Sequence, residues 1–136
     1  MAKSTVRNKQ FEKQLRKFLK KAKKTGDIEL RKLSLFALGQ VIKKSPVDQG
    51  TFRGNWNVGL NNINLSIDPN RRESQALSDG KNKISSIKSG GKINISNALP
   101  YALRLEYGWS DQAPTGVVRV TQFELLGWLR KRNKKT

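Results

Sequence analysis

The apolar positions of this chain change period along its length, and each change predicts an element. From Lys9 to Lys24, Phe11, Leu15, Phe18, Leu19 and Ala22 recur at three- and four-residue spacing, which predicts an amphipathic helix. Thr25-Gly26 ends or interrupts it, because glycine propagates a helix poorly, and Asp27 supplies an acid for the next helical start. From Ile28 to Lys44, Leu30, Leu33, Phe36, Ala37, Leu38, Val41 and Ile42 give an apolar face wide enough to be mostly buried. This is the expected main core helix. Lys43 and Lys44 fall in its last turn, where the helix dipole favours cations, and Pro46 makes Ser45 its boundary.

The period then shortens. Phe52, Trp56 and Val58 predict an extended run over Thr51 to Leu60, and Asn61-Asn62 a turn. Ile63, Leu65 and Ile67 alternate with Asn64 and Ser66, the clearest strand pattern in the chain. The two runs are expected to pair as a hairpin. Residues 68–91 hold only Leu77, Ile84 and Ile87 as large apolar residues, and predict a long mobile loop. Lys92 to Ser96 returns to alternation. Pro100 opens a short helix carrying Tyr101, Leu103, Leu105 and Glu106. A loop covers 107–116, and Val117 to Lys131 reads as a last helix or strand-to-helix element. The expected fold class is α+β: N-terminal helices packed on a small antiparallel β-sheet, with a C-terminal helix.

With 136 residues the chain is the size of one domain. It divides into a basic N-terminal helix or arm (1–24), a folded body (25–129) and a basic tail (130–136). The net charge of +18 belongs to the two ends. Residues 1–45 hold 14 Lys or Arg against 3 acids, residues 130–136 hold 5 against none, and the stretch between them 9 against 7. A nearly neutral body with basic termini predicts an anionic partner, either nucleic acid or an acidic protein surface. The basic face of the first helix consists of Lys9, Lys13, Arg16, Lys17, Lys20, Lys21 and Lys24. Removal of residues 1–24 is expected to spare the folded body, because they carry more charge than core.

The chain has no cysteine and no histidine. Thiolate metal sites and the commonest general base are therefore unavailable, which disfavours most enzyme chemistry. No cofactor, metal or membrane partner is expected. Glu106 is an acid in an aromatic, partly apolar setting, which makes it a candidate site residue. A nuclease reading would pair it with Asp111 and a magnesium ion, yet nothing in the spacing forces such a pair. A structural ion pair with Arg53, Arg104 or Arg119, within one subunit or across a subunit interface, is the preferred reading. Asp48-Gln49-Gly50 reads as a turn, with Arg53 beside it as an anion ligand or a strut. Trp56, Tyr101, Tyr107, Trp109 and Trp128 read as core or interface packing. A rival reading of another class is a DNA-binding regulator that uses its basic N-terminal helices.

Two segments carry a more specific signal: SPVDQGTFRGNW from Ser45 to Trp56, and SNALPYALRLEYGWSDQAPTGVVRVT from Ser96 to Thr121. In order and spacing they resemble the signature of small neck proteins of tailed bacteriophages, the head-tail joining or tail-completion proteins. Gln49 departs from the threonine usual in that family. The resemblance covers roughly residues 45–125. It implies a virion structural protein of the neck, assembled in the host bacterial cytoplasm, with no enzymatic activity. It also implies a homo-oligomeric ring, with a hexamer favoured and a dodecamer as the alternative, that contacts the connector and the tail tube or terminator proteins. Non-specific contact with genomic DNA through the basic termini fits this picture. Candidate interface residues are Asp48, Arg53, Trp56, Tyr101, Arg104, Glu106, Tyr107 and Trp109.

Overall fold

The computed structural model describes residues 7–46, 50–88, 91–107 and 116–134. Helix α1 (Lys9–Ala22) starts where the Asn8 side chain accepts a hydrogen bond from the Phe11 amide at 3.0 Å, satisfying one of the unpaired donors of the first turn. A single 3-10 turn, Lys23–Thr25, bends the chain into α2 (Gly26–Lys44), which carries Asp27 and Glu29 in its first turn. Ser45, extended ahead of Pro46, ends α2 where the sequence places its boundary.

α2 lies between two apolar clusters. Leu38, Val41 and Ile42 face the larger one, together with Phe52, Trp56, Val58, Ile84, Leu105 and Val117. Leu33 faces the smaller one, where Phe18 of α1 meets Leu125 and Leu129 of α6 (Val118–Lys134), with Phe11, Leu15, Leu19 and Ala37 at its rim. The first helix therefore contributes core as well as charge, and α1 against α6 is the most extensive helix packing in the fold. Exposure departs from the expected face at Phe36, which is half exposed on α2.

The middle of the chain departs further from expectation. Gly50–Arg53 is a single helical turn, α3, so the extended run shortens to β1 (Asn57–Leu60). β1 does not form a hairpin with residues 63–67. It pairs antiparallel with β2 (Ile93–Ser96), in the register Asn57↔Ser96, Val58↔Ile95, Gly59↔Asn94 and Leu60↔Ile93. Most of the expected mobile loop at 68–91 is helix α4 (Glu73–Ser85). Its buried face is built from Ala76, Gly80 and Ile84 at four-residue spacing, too small in volume to register as a hydrophobic stripe. A β-carbon on Gly80 would lie 2.3 Å from Leu38 Cδ2 and 3.1 Å from Val58 Cγ2, so glycine lets α4 sit tightly against both α2 and the sheet. The short helix α5 (Ala102–Glu106) follows Pro100, and α6 extends beyond the expected end, so that residues 130–134 continue the helix.

A pair of strands is marginal alone, and this one is held on both faces. Val58 and Ile95 point toward α2 and α4. After the bend at Asn61-Asn62 a strap, residues 62–68, runs over the other face, tied down by side chains in place of a strand ladder. Asn94 Nδ2 donates to Asn62 O at 3.0 Å, Ser96 Oγ to Asn64 O at 2.8 Å, Asn57 Nδ2 to Ser66 O at 2.8 Å and Asn55 Nδ2 to Asp68 O at 3.0 Å. Gly59 permits this approach, since a β-carbon there would lie 2.2 Å from Asn62 O. The alternation in 63–67 thus reflects an extended backbone whose apolar side chains are turned outward, with Ile63, Leu65 and Ile67 exposed.

Candidate assembly surface

The described residues of the first signature segment form an internal strut. Trp56 is buried and donates its indole N–H to Ser45 Oγ at 2.8 Å, and that hydroxyl donates to Val41 O at 2.6 Å. The Phe52 ring packs edge-on against Trp56 at 5.4 Å and tilts against Tyr101 at 6.1 Å. Arg53 closes the C-terminus of α2. Its guanidinium donates to Ser45 O at 2.9 Å and Lys43 O at 3.0 Å, where unpaired carbonyls and the helix dipole favour a cation, and pairs with Glu73 of α4 at 3.1 Å.

Glu106 does the corresponding work in the second signature segment. Its carboxylate, buried at 5% exposure, accepts from the amides of Val117 (2.9 Å), Val118 (2.7 Å) and Arg119 (2.9 Å), and so caps the N-terminus of α6. Arg119 Nε donates to the same carboxylate at 3.1 Å, while Nη2 donates to Glu106 O. Of the three arginines weighed from sequence, Arg119 is therefore the partner, within one subunit. The Arg119 guanidinium also lies 4.7 Å above the Tyr107 ring.

The candidate interface residues thus divide. Trp56 and Glu106 are enclosed within the subunit, and Arg53 is committed to the end of α2. In the single subunit the side chains of Trp56 and Glu106 serve the core and the α6 cap. Tyr101 is half-buried, while Arg104 and Tyr107 are exposed on and just after α5. Asp48, Trp109 and Asp111 lie outside the described residues. Among the described residues no group of three or more acids could hold a metal ion, and no helix is long and apolar enough to cross a membrane.

What remains for partners is charge and exposed apolar surface. Lys9, Lys13, Arg16, Lys17, Lys20, Lys21 and Lys24 are all exposed. Glu12, the one acid of α1, takes a hydrogen bond from Arg7 that holds it below its ordinary carboxylate pKa. The two basic ends, far apart in sequence, are brought together by α1 packing on α6. Phe18 meets Trp128 edge-on at 5.4 Å, Arg132 lies 5.2 Å over the same indole, Lys21 Nζ donates to Asn133 O at 2.7 Å, and Asn133 Nδ2 donates to Gln14 Oε1 at 2.8 Å. Arg132 and Lys134, which neighbour Asn133 in the chain and are exposed, are thereby brought near α1. Sequence reading treats these ends as separate clusters. The shared apolar seam of Phe18, Leu125 and Leu129 is the signal that would have joined them. It also misses Ile63, Leu65 and Ile67 as surface residues, because alternation reports period and not direction.

A protein-family model described as "Bacteriophage HK97-gp10, putative tail-component" matches residues 9–108, from the start of α1 to just beyond α5. Comparison with curated proteins and with solved structures returned no match. The match takes in well over half of the chain, including the basic first helix that the signature segments alone do not reach. The chain belongs to the HK97 gp10-like family of bacteriophage tail components.

Proposed function

We propose that this protein is a ring-forming subunit of the phage neck that joins the head connector to the tail, and that its basic α1–α6 surface faces an anionic partner, the DNA that passes through the channel. The observation that carries this reading is the division of labour among its residues. Trp56, Arg53 and Glu106 of the signature segments serve as internal struts, while the exposed cations of α1 and the end of α6 lie on two helices packed together and several large apolar residues stand open to solvent. Such a body works by contact, with no bond made or broken. Each subunit of a closed ring offers unlike surfaces to its two neighbours, with a hexamer favoured over a dodecamer. On this reading the exposed side chains of Leu103, Arg104 and Tyr107 around α5 belong to an intersubunit or inter-ring contact. The protein resides in the virion neck after assembly in the host cytoplasm.

Deletion of the gene from its phage is the test. Filled heads and separate tails that fail to join, or tails defective at their upper end, are the expected products in electron micrographs. Normal infectious particles would contradict the reading.

A further inference from the structure

The strap is inside out for a soluble subunit. Ile63, Leu65 and Ile67 are 39%, 52% and 45% exposed, while Asn62, Asn64 and Ser66 turn their carbonyls onto the sheet. Side chains of Asn57, Asn94 and Ser96 fix this orientation, so the ridge cannot fold inward without releasing those hydrogen bonds. A row of three aliphatic side chains held outward marks a contact surface. Beside the ridge lies an open hollow of about 470 Å³, lined by Gly59, Leu60, Asn62, Ile63, Asn64, Leu65 and Lys83.

A second apolar stripe runs along the outer side of α2. Ile28 (48%), Leu35 (37%) and Phe36 (48%) are exposed there at spacings that place them on one face, and Gly39 has open space where a side chain would stand. The two surfaces lie on different sides of the subunit. The strap covers the face of the sheet that points away from α2 and α4, whereas the stripe lies off the core-facing side of α2 that carries Leu38. Their charge is complementary. Residues 57–70 contain no Lys or Arg and end in exposed Asp68, while Lys32 and Lys43 flank the α2 stripe. In a protein of net charge +18, the strap itself carries no cation and one acid, Asp68, with Lys83 the cation that lines the hollow beside it.

We infer that the strap ridge of one copy of this chain docks on the α2 stripe of the next, Phe36 entering the hollow beside Leu65 and Asp68 facing Lys32 or Lys43. The contact is head to tail, so repetition closes a ring or extends a filament. The inference rests on the ring reading above and names the two faces that would build it.

The test uses full-length protein, which has no native thiol. Phe36→Cys and Leu65→Cys chains are prepared separately and treated with a short bis-maleimide, alone and mixed. The expected result is a covalent dimer from the mixture and little from either alone, with the double variant giving a ladder that ends at the ring number. Cross-linking of Leu65→Cys with itself, or no cross-linking at millimolar concentration, overturns the inference. Leu65→Asp and Phe36→Asp keep the fold, because both sites are exposed, and their thermal melts verify this. Each is expected to weaken self-association on the order of 30-fold or more, as truncation of a central interface residue does. Mixed together they should form heterodimers that grow no further, because each retains one good face. If either variant associates as strongly as the wild type, the pairing is wrong. Particles that lack this protein would sink the ring reading itself, whereas particles that contain it without a 36–65 cross-link would sink only the choice of faces.

Discussion

At the scale of single residues, the side chains that make the sequence recognisable are those the fold cannot replace. Trp56 needs Ser45 because an indole N–H enclosed in the core has no water to turn to. Ser45→Ala is therefore expected to destabilise the protein by about 1–3 kcal/mol, the penalty for leaving a buried donor unpaired, with the loss read as a lower urea midpoint at unchanged slope. Glu106→Gln keeps the shape of the cap but gives up its charge at the α6 N-terminus and beside Arg119. It should lower stability by about 1–3 kcal/mol, since charge-assisted bonds of this kind are the stronger ones. A change in stability without any change in a nuclease assay would set the structural role of Glu106 apart from a catalytic one. The pairing of Glu106 with an arginine was legible in the sequence; its choice of Arg119 and its capping of α6 were not, because both depend on how α5 turns back onto the next helix.

At the scale of elements, legibility followed the size of the buried side chains. α1, α2 and α6 announce themselves through Phe, Leu and Val at helical spacing, and β2 through Ile93 and Ile95. α4 hides because its buried face is Ala76, Gly80 and Ile84, a helix recognised by what it lets approach and not by what it buries. Gly80→Leu should therefore be among the most damaging single changes, since the added side chain would collide with Leu38 and Val58. Overpacking of this kind typically costs about 1–3 kcal/mol, occasionally more, and a fall in melting temperature would report it. The strap shows the opposite failure, a true period with its direction reversed by the asparagines that anchor its carbonyls. The expectation for the first helix also changes. Removing residues 1–24 takes Phe18 from the smaller cluster and uncovers Leu33, Leu125 and Leu129. The truncated chain should keep the larger core, bind a hydrophobic dye and melt lower, because the apolar area that α1 covers on α6 is worth roughly 25 cal/mol per Å². An unchanged melting curve without dye binding would return α1 to the status of an arm.

At the scale of the whole molecule, convergence of the two basic ends gives a single surface whose partner can be tested by salt. If α1 and the end of α6 meet DNA, they do so through phosphates. Each neutralised phosphate then adds about 0.9 to the slope of log affinity against log salt. Binding to duplexes of unrelated sequence should be equal in strength, since lysines on a helix face carry no base readout. Lys13→Ala, Lys17→Ala and Lys20→Ala together should lower that slope by up to about 3, roughly one for each phosphate that no longer meets a lysine. The melting temperature should hold, since all three side chains are exposed and outside both apolar clusters. A marked preference for one duplex sequence would favour the regulator reading. A slope unmoved by the triple substitution would show that DNA is held elsewhere and leave this face to an acidic protein surface. In a ring the same three positions recur in every subunit, so the effect should grow with assembly: rings should lose more affinity than isolated subunits, because multivalent binding multiplies each subunit's loss.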